Sequence, residues 1–113
     1  MEDNVQVLKG TLDLMILKSL RWGPIHGYGV VTWIKRTTDG ALQIEDGALY
    51  PALHRLQNRE LIEAEWGTSE NNRRAKYYRL TRRGRKQLER EISSWARFSE
   101  AVWKVVNATE ATA

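Results

Sequence analysis

The stretch LIEAEWGTSENNRRAKYYRLT, residues 61–81, decides the fold because two segments that alternate as strands do flank a polar loop. In the first segment, apolar side chains alternate with two glutamates; in the second, Tyr78 and Leu80 lie on either side of Arg79. Alternation with a period of two predicts a strand with one dry face and one wet face. We therefore predict an antiparallel hairpin whose connection covers the ten residues Gly67–Lys76.

The predicted connection is polar and becomes abruptly basic in its second half. Its only apolar side chain is Ala75, so it cannot fill a core. Loops of this length in compact domains often carry function. Side chains that can donate hydrogen bonds to phosphate oxygens, or enter a minor groove, gather towards its end: Asn71, Asn72, Arg73, Arg74 and Lys76.

Positive charge in this chain is concentrated in one segment. Residues 73–90 contain nine of the 18 basic residues and one of the 14 acidic residues, a net charge of +8, although the whole chain carries +4. A segment of this kind favours a polyanionic partner, but basic segments also occur as solvated helix faces. The charge pattern alone leaves both interpretations open.

Three helices are predicted before the hairpin. Apolar residues at helical spacing form the first, which ends near Gly23, and a second short helix closes at Gly40. The third begins at Asp46, a predicted N-cap, and its apolar stripe runs from Leu49 to Leu56.

One long helix follows the hairpin, from a predicted N-cap at Thr81 to about Asn107. Apolar residues recur along it at alternating spacings of four and three, which is the seam of a coiled coil. The seam contains Leu88, Ile92, Trp95, Ser99, Val102 and Val106, with Phe98, Trp103 and Val105 beside it. The seam predicts that this helix packs against another helix.

The predicted order is three helices, a hairpin and a long helix. Three helices followed by a hairpin is the arrangement of a winged helix-turn-helix, in which the third helix enters the major groove of DNA and the hairpin is the wing. We predict a mainly α fold with a small two-stranded antiparallel sheet. We expect a winged-helix DNA-binding domain at residues 1–80 and a C-terminal dimerisation helix at residues 81–113, together in one compact unit.

Several kinds of site are disfavoured by the sequence. The chain has no cysteine and two histidines, so neither a disulfide nor a zinc site is predicted. It shows no catalytic motif and no apolar run long enough to span a membrane. Gly27 and Gly29 do not predict a nucleotide-binding loop, because no predicted strand precedes them and the third glycine is missing. We therefore expect a cytoplasmic protein that is not an enzyme and uses no metal or cofactor.

Five segments together resemble the PadR-like transcriptional regulators over most of the chain: GTLDLMILKSL, HGYGV, EDGALYPALHRLQNRELIEAEW, RAKYYRLTRRGR and the aromatic terminal helix. The order and spacing of HGY, LYPAL and KYYRLT make the resemblance specific. The single C-terminal helix is similar to the smaller subgroup of that family. The resemblance implies a bacterial homodimeric winged-helix repressor that binds a palindromic operator in double-stranded DNA and releases it on binding a small molecule.

The predicted site residues form three sets. The residues expected to contact DNA are His26, Tyr28, Ala48, Tyr50, His54, Arg55, Asn72, Arg73, Arg74 and Lys76. Those expected at the dimer interface are Leu12, Met15, Leu88, Ile92, Trp95, Phe98, Val102 and Val106. Trp95 and Trp103 are the candidates for a small aromatic effector, which the resemblance implies would be sandwiched between two copies of Trp95.

Two positions depart from the family pattern, and two others have two interpretations. Ala48 stands where many relatives have a small hydroxyl residue, and Glu60 replaces a common glycine just before the first strand, at a predicted helix C-cap.

Tyr50 could pack under the wing or donate its hydroxyl group to phosphate. His26 could hold the backbone by a hydrogen bond or contact a ligand.

The function predicted from these residues is sequence-specific, DNA-binding regulation of transcription. One alternative is a winged-helix module that contacts proteins through its basic face and binds no specific duplex. Another is a basic RNA-associated protein, which would need the exposed aromatic platform that single-strand readers generally use. Binding to duplex DNA discriminates among the three.

Overall fold

The part of the chain that the computed structural model describes, residues 10–111, folds into four helices and three strands. In chain order they are α1 (Thr11–Ser19), β1 (Ile25–His26), α2 (Gly27–Thr37), α3 (Asp46–Asn58), β2 (Ile62–Thr68), β3 (Arg74–Leu80) and α4 (Arg82–Val106). The predicted class, mainly α with a small antiparallel sheet, is confirmed. The predicted division after residue 80 lies between β3 and α4, and positions 1–9 and 112–113 of the two predicted ranges lie outside the described residues.

The sheet has three strands rather than the predicted two, in the order β1-β3-β2. β1 pairs antiparallel with β3, with Ile25 opposite Tyr78 and His26 opposite Tyr77. The sequence did not reveal β1 because two residues are too few to show a period of two. This extra strand attaches the start of α2 to the hairpin, which we call the wing (residues 62–80).

The loop of the wing is shorter than predicted. β2 and β3 continue until only residues 69–73 remain between them. The Asn72 amide donates to the Ser69 carbonyl at 2.9 Å, and Asn72 takes a φ of 58°, a left-handed conformation that asparagine tolerates better than most residues. Arg74 and Lys76 are therefore strand residues, and the pleat of β3 places them on the same face of the sheet.

The core lies between the helices and one face of the sheet. Its members include Ile16, Leu17, Leu20, Val30, Ile34, Leu49, Ala52, Leu53, Leu56, Ile62, Tyr78 and Leu80. Leu12 and Leu88, predicted at the dimer interface, also belong to this cluster and are 9% and 1% exposed. Such burial leaves these side chains little surface for a partner, and their contact with a second copy stays a prediction.

The third helix, α3, differs from its predicted start by one residue. Glu45 rather than Asp46 occupies the N-cap position, without a side-chain hydrogen bond, and Asp46 is the first helical residue. Pro51 lies inside the helix, where its ring removes the amide that would donate to the Gly47 carbonyl. The helix continues to Asn58 because its apolar stripe is buried in the core.

The last helix, α4, is buried along its first turns and exposed along the rest. Its predicted N-cap is confirmed, since Thr81 Oγ1 accepts the Gly84 amide at 2.9 Å and donates to the Glu60 carbonyl at 2.7 Å. Beyond the buried Leu88, the helix carries an exposed apolar stripe: Ile92, Trp95, Phe98, Val102, Trp103, Val105 and Val106. The described molecule is accordingly elongated, with principal extents of 60, 38 and 22 Å.

The turn from α3 into β2 explains the departure at Glu60. Glu60 has a φ of 62°; its amide donates to the Gln57 carbonyl at 2.9 Å, and the Leu61 amide donates to the Leu56 carbonyl at 3.0 Å. This pair of bonds is a Schellman motif, in which the left-handed residue is usually glycine. A residue with a Cβ costs about 1 kcal/mol in that conformation.

We expect Glu60→Gly to raise the free energy of unfolding by about 0.5 kcal/mol, because relief of the left-handed strain outweighs two smaller losses. One loss is the exposed ion pair between Glu60 and Arg83, 3.2 Å apart, and the other is the greater freedom of glycine in the unfolded chain. Urea unfolding at fixed protein concentration measures the change. Glu60→Gln keeps the Cβ and removes the charge, so a midpoint for Glu60→Gly at or below that of Glu60→Gln would contradict the strain argument.

Candidate nucleic-acid interface

An open groove of about 630 Å³ lies between the wing, the start of α2 and the start of α3. Six of the ten residues predicted at DNA line it: His26, Tyr28, Tyr50, Arg73, Arg74 and Lys76. Three chain segments that are far apart in the sequence therefore meet at one concave surface. Ala48, His54, Arg55 and Asn72 are predicted DNA contacts that do not line this groove.

One face of the wing forms a wall of the groove. The register places Ala64 opposite Tyr78 and Trp66 opposite Lys76, so these side chains share a face. Close to the helices this face is buried, as Tyr78 is, whereas further out it passes beyond the core and exposes Trp66. The Arg74 guanidinium lies 4.4 Å from the centre of the Trp66 ring, and Lys76 Nζ lies 5.9 Å from it.

The reverse face of the wing is held against the start of α2. The Tyr77 ring lies over Gly67, where a Cβ would come within 3.1 Å of it, and the Tyr77 hydroxyl donates to the Thr68 carbonyl at 3.1 Å. The same ring meets His26 edge to face, with centroids 5.3 Å apart. Together with the pairing of β1 and β3, these contacts fix the wing relative to α2.

His26 has a structural hydrogen bond, which favours the first of its two interpretations. Its Nδ1 accepts the Gly29 amide at 3.0 Å and so caps α2. Because that nitrogen is an acceptor, the proton of the neutral ring lies on Nε2, which is 3.7 Å from Glu70 Oε1 at the tip of the wing. The pKa of Glu70 is lowered, chiefly because its carboxylate accepts a hydrogen bond from its own backbone amide. Desolvation raises this pKa by a smaller amount, and the nearby His26 lowers it further.

On the exposed face of α3, some of the side chains predicted to contact DNA already have contacts within the protein. Ala48 and His54 are exposed, and Tyr50 is half-exposed with its ring against α2: a Cβ added at Gly27 would lie 3.2 Å from the Tyr50 hydroxyl. Arg55 is exposed but already paired, with Nη2 2.9 Å from Asp13 Oδ1. Contact between Arg55 and DNA therefore remains a prediction that requires Arg55 to leave its carboxylate.

The basic segment divides into paired and unpaired cations. Arg79 bridges Glu63 at 2.8 Å and Glu65 at 3.4 Å on the face of the wing away from the groove. Within residues 10–111, Arg73, Arg74 and Lys76 form no salt bridge with a carboxylate. The cations of the wing that line the groove are therefore available to an anion, and Arg79 is not.

One residue that lines the groove, Tyr78, is a buried tyrosine. Burial raises the pKa of Tyr78, and the nearby Tyr50 hydroxyl acts in the same direction. Tyr78 is therefore a neutral, core-filling residue across the physiological range. The positive charge of the groove comes from Arg73, Arg74 and Lys76.

The candidate effector residues do not meet within one protomer. The Trp95 ring lies 5.9 Å from the Phe98 ring, centroid to centroid. Trp103 follows Trp95 by eight residues, which is about 12 Å along a helix. A separate groove of about 430 Å³, which is mainly apolar, lies between α1, α2 and α4 and is lined by Met15, Trp95 and eight other residues.

Sequence reasoning missed Trp66 and Glu70 as residues of the groove. The signal for Trp66 was present, since its position in β2 fixes its face, but assigning Lys76 and Arg74 to that face required the register of the hairpin. Glu70 gave no sequence signal, because nothing local links a loop carboxylate to His26.

Residues 10–111 hold neither a candidate metal site nor a candidate membrane-spanning helix. No group of three or more histidines, cysteines, aspartates or glutamates within residues 10–111 is arranged to hold a metal ion. None of the helices in that part of the chain is long and apolar enough to cross a membrane.

Comparisons with known proteins agree with this geometry. A model of the Transcriptional regulator PadR-like family matches residues 16–90. A solved transcriptional regulator from Clostridium thermocellum is similar, with 30% identity, coverage of 88% of this chain and 96% of that one, and a TM-score of 0.80. A PadR-like transcriptional regulator from Bacillus cereus is similar with 31% identity, 92% and 99% coverage, and a TM-score of 0.76. An uncharacterized protein from Lysinibacillus sphaericus is 31% identical over 96 residues, 85% of this chain and 88% of that protein.

Proposed function

Because this chain belongs to the PadR-like family of transcriptional regulators, we propose that it is a homodimeric repressor that binds a palindromic operator in duplex DNA. The family makes the chain a DNA-binding regulator of transcription rather than an enzyme.

The main support for the proposed DNA binding is the groove beside the wing. Its three cations form no salt bridge within residues 10–111, and the exposed face of α3 lies next to it. In a winged helix-turn-helix bound to DNA, the third helix enters the major groove. Phosphate contacts then fix the position of the protein, and base contacts from α3 provide the specificity.

The exposed half of α4 supports the homodimer. Ile92, Trp95, Phe98, Val102 and Val106 are solvent-exposed apolar residues along one helix. A second copy that packs its own seam against them removes this apolar surface from water. The two α3 helices would then read successive major grooves, about one helical turn apart, which requires a palindromic site.

A small planar effector is proposed to bind where α4 meets its symmetry mate, with Trp95 and the neighbouring Phe98 supplying aromatic faces. Binding there would change the separation of the two α3 helices and weaken the complex with DNA. Titration with planar aromatic compounds, followed by tryptophan fluorescence, tests this site. Trp95→Phe should abolish most of the quenching, and a set of compounds that quenches both proteins equally would count against it.

Gel shifts with the region upstream of the chain's own coding sequence test the proposed function directly. The repressor is expected to form a complex that survives excess competitor DNA at physiological salt. If the basic face instead contacts an acidic protein, duplex binding will not exceed the nonspecific background. Preference for single-stranded RNA over any duplex would favour the RNA-associated alternative.

Arg73→Glu and Arg74→Glu are each expected to weaken binding to every duplex about tenfold or more and to reduce the slope of log affinity against log salt by about one. The reason is that each arginine lines the groove without a carboxylate partner within residues 10–111. Fluorescence anisotropy at four salt concentrations measures both quantities. Arg21→Glu makes the same charge change at an exposed residue outside the groove and is the matched control. Unchanged affinity and slope in both wing variants would show that the wing does not contact phosphate.

A further inference from the structure

Trp66 is a large aromatic residue that the core does not need. It lies on the face of the wing that continues the core, yet it is 56% exposed. Ile62 and Leu80, at the base of the same face, are buried without it. Its ring lines the groove instead of filling the interior.

Two of the groove's cations lie against this ring. The Arg74 guanidinium carbon is 4.4 Å from the ring centre and Lys76 Nζ is 5.9 Å from it, both within the range of a cation–π interaction. The register explains the arrangement, because Lys76 is directly opposite Trp66 and Arg74 is one pleat further along β3. Arg73 lies in the loop between the strands and forms no cation–π pair with a ring of the described residues.

The backbone that carries Trp66 is held from the other side of the sheet. Gly67 follows it and lies under the Tyr77 ring, where an added Cβ would come within 3.1 Å of the ring, and Tyr77 is itself packed against His26. The ring of Trp66 is therefore attached to a rigid part of the wing. An arginine that stacks on a fixed ring has fewer conformations available than one in solvent.

We infer that Trp66 is a positioning residue for DNA binding: its ring holds Arg74, and to a smaller extent Lys76, aimed into the groove before DNA arrives. This inference rests on the proposed function. Ordering a long side chain on binding has an entropic cost, and a cation that is already ordered loses less. Arg74 should consequently bind phosphate more effectively than the unsupported Arg73.

Trp66→Ala is expected to weaken binding to a duplex from the chain's own upstream region about fivefold, with an unchanged melting temperature. Trp66→Phe keeps an aromatic face and should restore most of the affinity, whereas Trp66→Leu keeps apolar bulk without the face and should not. Trp22→Ala is the matched control, because Trp22 is 68% exposed and has Lys18 5.1 Å from its ring centre, but does not line the groove.

Double-mutant cycles separate positioning from direct contact. If Trp66 acts mainly through Arg74, Trp66→Ala should have much less effect in an Arg74→Ala background, whereas its effect should be unchanged in an Arg73→Ala background. An undiminished effect in the Arg74→Ala background would overturn positioning, since Trp66 would then touch DNA itself or act through the fold. Equal binding by the wild type and Trp66→Ala would overturn the inference as well.

A measurement on the free protein tests the contact between Trp66 and Arg74 independently of DNA binding. In the free wild-type protein, the Arg74 side-chain protons should show upfield ring-current shifts in NMR spectra that disappear in Trp66→Ala. Absence of these shifts in the wild type overturns the inference while duplex binding stands. A wild-type protein that binds no duplex overturns the proposed function, and the role of Trp66 in DNA binding with it, even if the shifts are present.

Discussion

Gly84→Ala is expected to lower the free energy of unfolding by about 3 kcal/mol or more, one of the two largest effects we predict. A Cβ at Gly84 would overlap the Leu61 carbonyl oxygen and come within 2.9 Å of the carbonyl carbon. Both obstacles are backbone atoms, so no rotamer change can relieve the clash. The same carbonyl accepts the Thr81 amide at 3.1 Å, and therefore moving it aside also breaks the junction that starts α4.

Thermal and urea unfolding of the full chain, at one protein concentration, measure this effect. Gly47→Ala is the matched control, because Gly47 lies near the start of α3 with no atom within 4 Å of an added Cβ. That substitution should be neutral or stabilising by about 0.5–1 kcal/mol, as alanine favours helix over glycine. A loss at Gly84 no greater than 1 kcal/mol would mean that α4 can move away from β2 easily.

Val102→Asp is expected to convert the protein into monomers and to weaken binding to a palindromic duplex about 100-fold, because each monomer engages a single half-site. Val102 is 42% exposed in the protomer and is not part of its core cluster, so the substitution should leave the fold intact. In the proposed dimer, however, it would place a carboxylate on an apolar seam without a partner.

Sedimentation velocity gives the mass, and anisotropy with intact and half-site duplexes gives the affinity. Ala101→Asp introduces the same charge at an exposed neighbour that the helical period turns away from the seam, so it should remain dimeric. If Val102→Asp sediments as a dimer and binds the intact duplex normally, the copies do not associate through this seam. Far-UV circular dichroism of both variants excludes misfolding as the cause.

The sequence predicted the elements of the wing better than their junctions. The alternation around Trp66 and Tyr78 predicted two strands, and Thr81 was correctly predicted to cap α4. The loop was too long by several residues, because polar residues at the end of a strand resemble loop residues until the register is known. β1 was absent from the prediction because its pairing with β3 crosses about fifty residues of chain.

For the candidate site residues, the sequence identified which side chains could bind an anion. It could not show which of them already have a carboxylate partner within the fold. Arg73, Arg74 and Lys76 do line one groove, but Arg55 is paired with Asp13, which precedes it by 42 residues. In α4, one apolar period covers both the buried Leu88 and the exposed Val102. Periodicity fixes the face of a helix and cannot say which part of that face the protomer itself covers.

By itself, then, the sequence determined the helices, the hairpin and the concentration of cations at the wing, because local periodicity and residue type are sufficient to encode them. Only the tertiary structure decided which charges are already neutralised by partners and that Trp66 lies beneath Arg74. It also decided that Gly84 admits no side chain against Leu61. Each of these depends on atoms brought together across the fold, and their distance in the chain leaves no local trace of the contact.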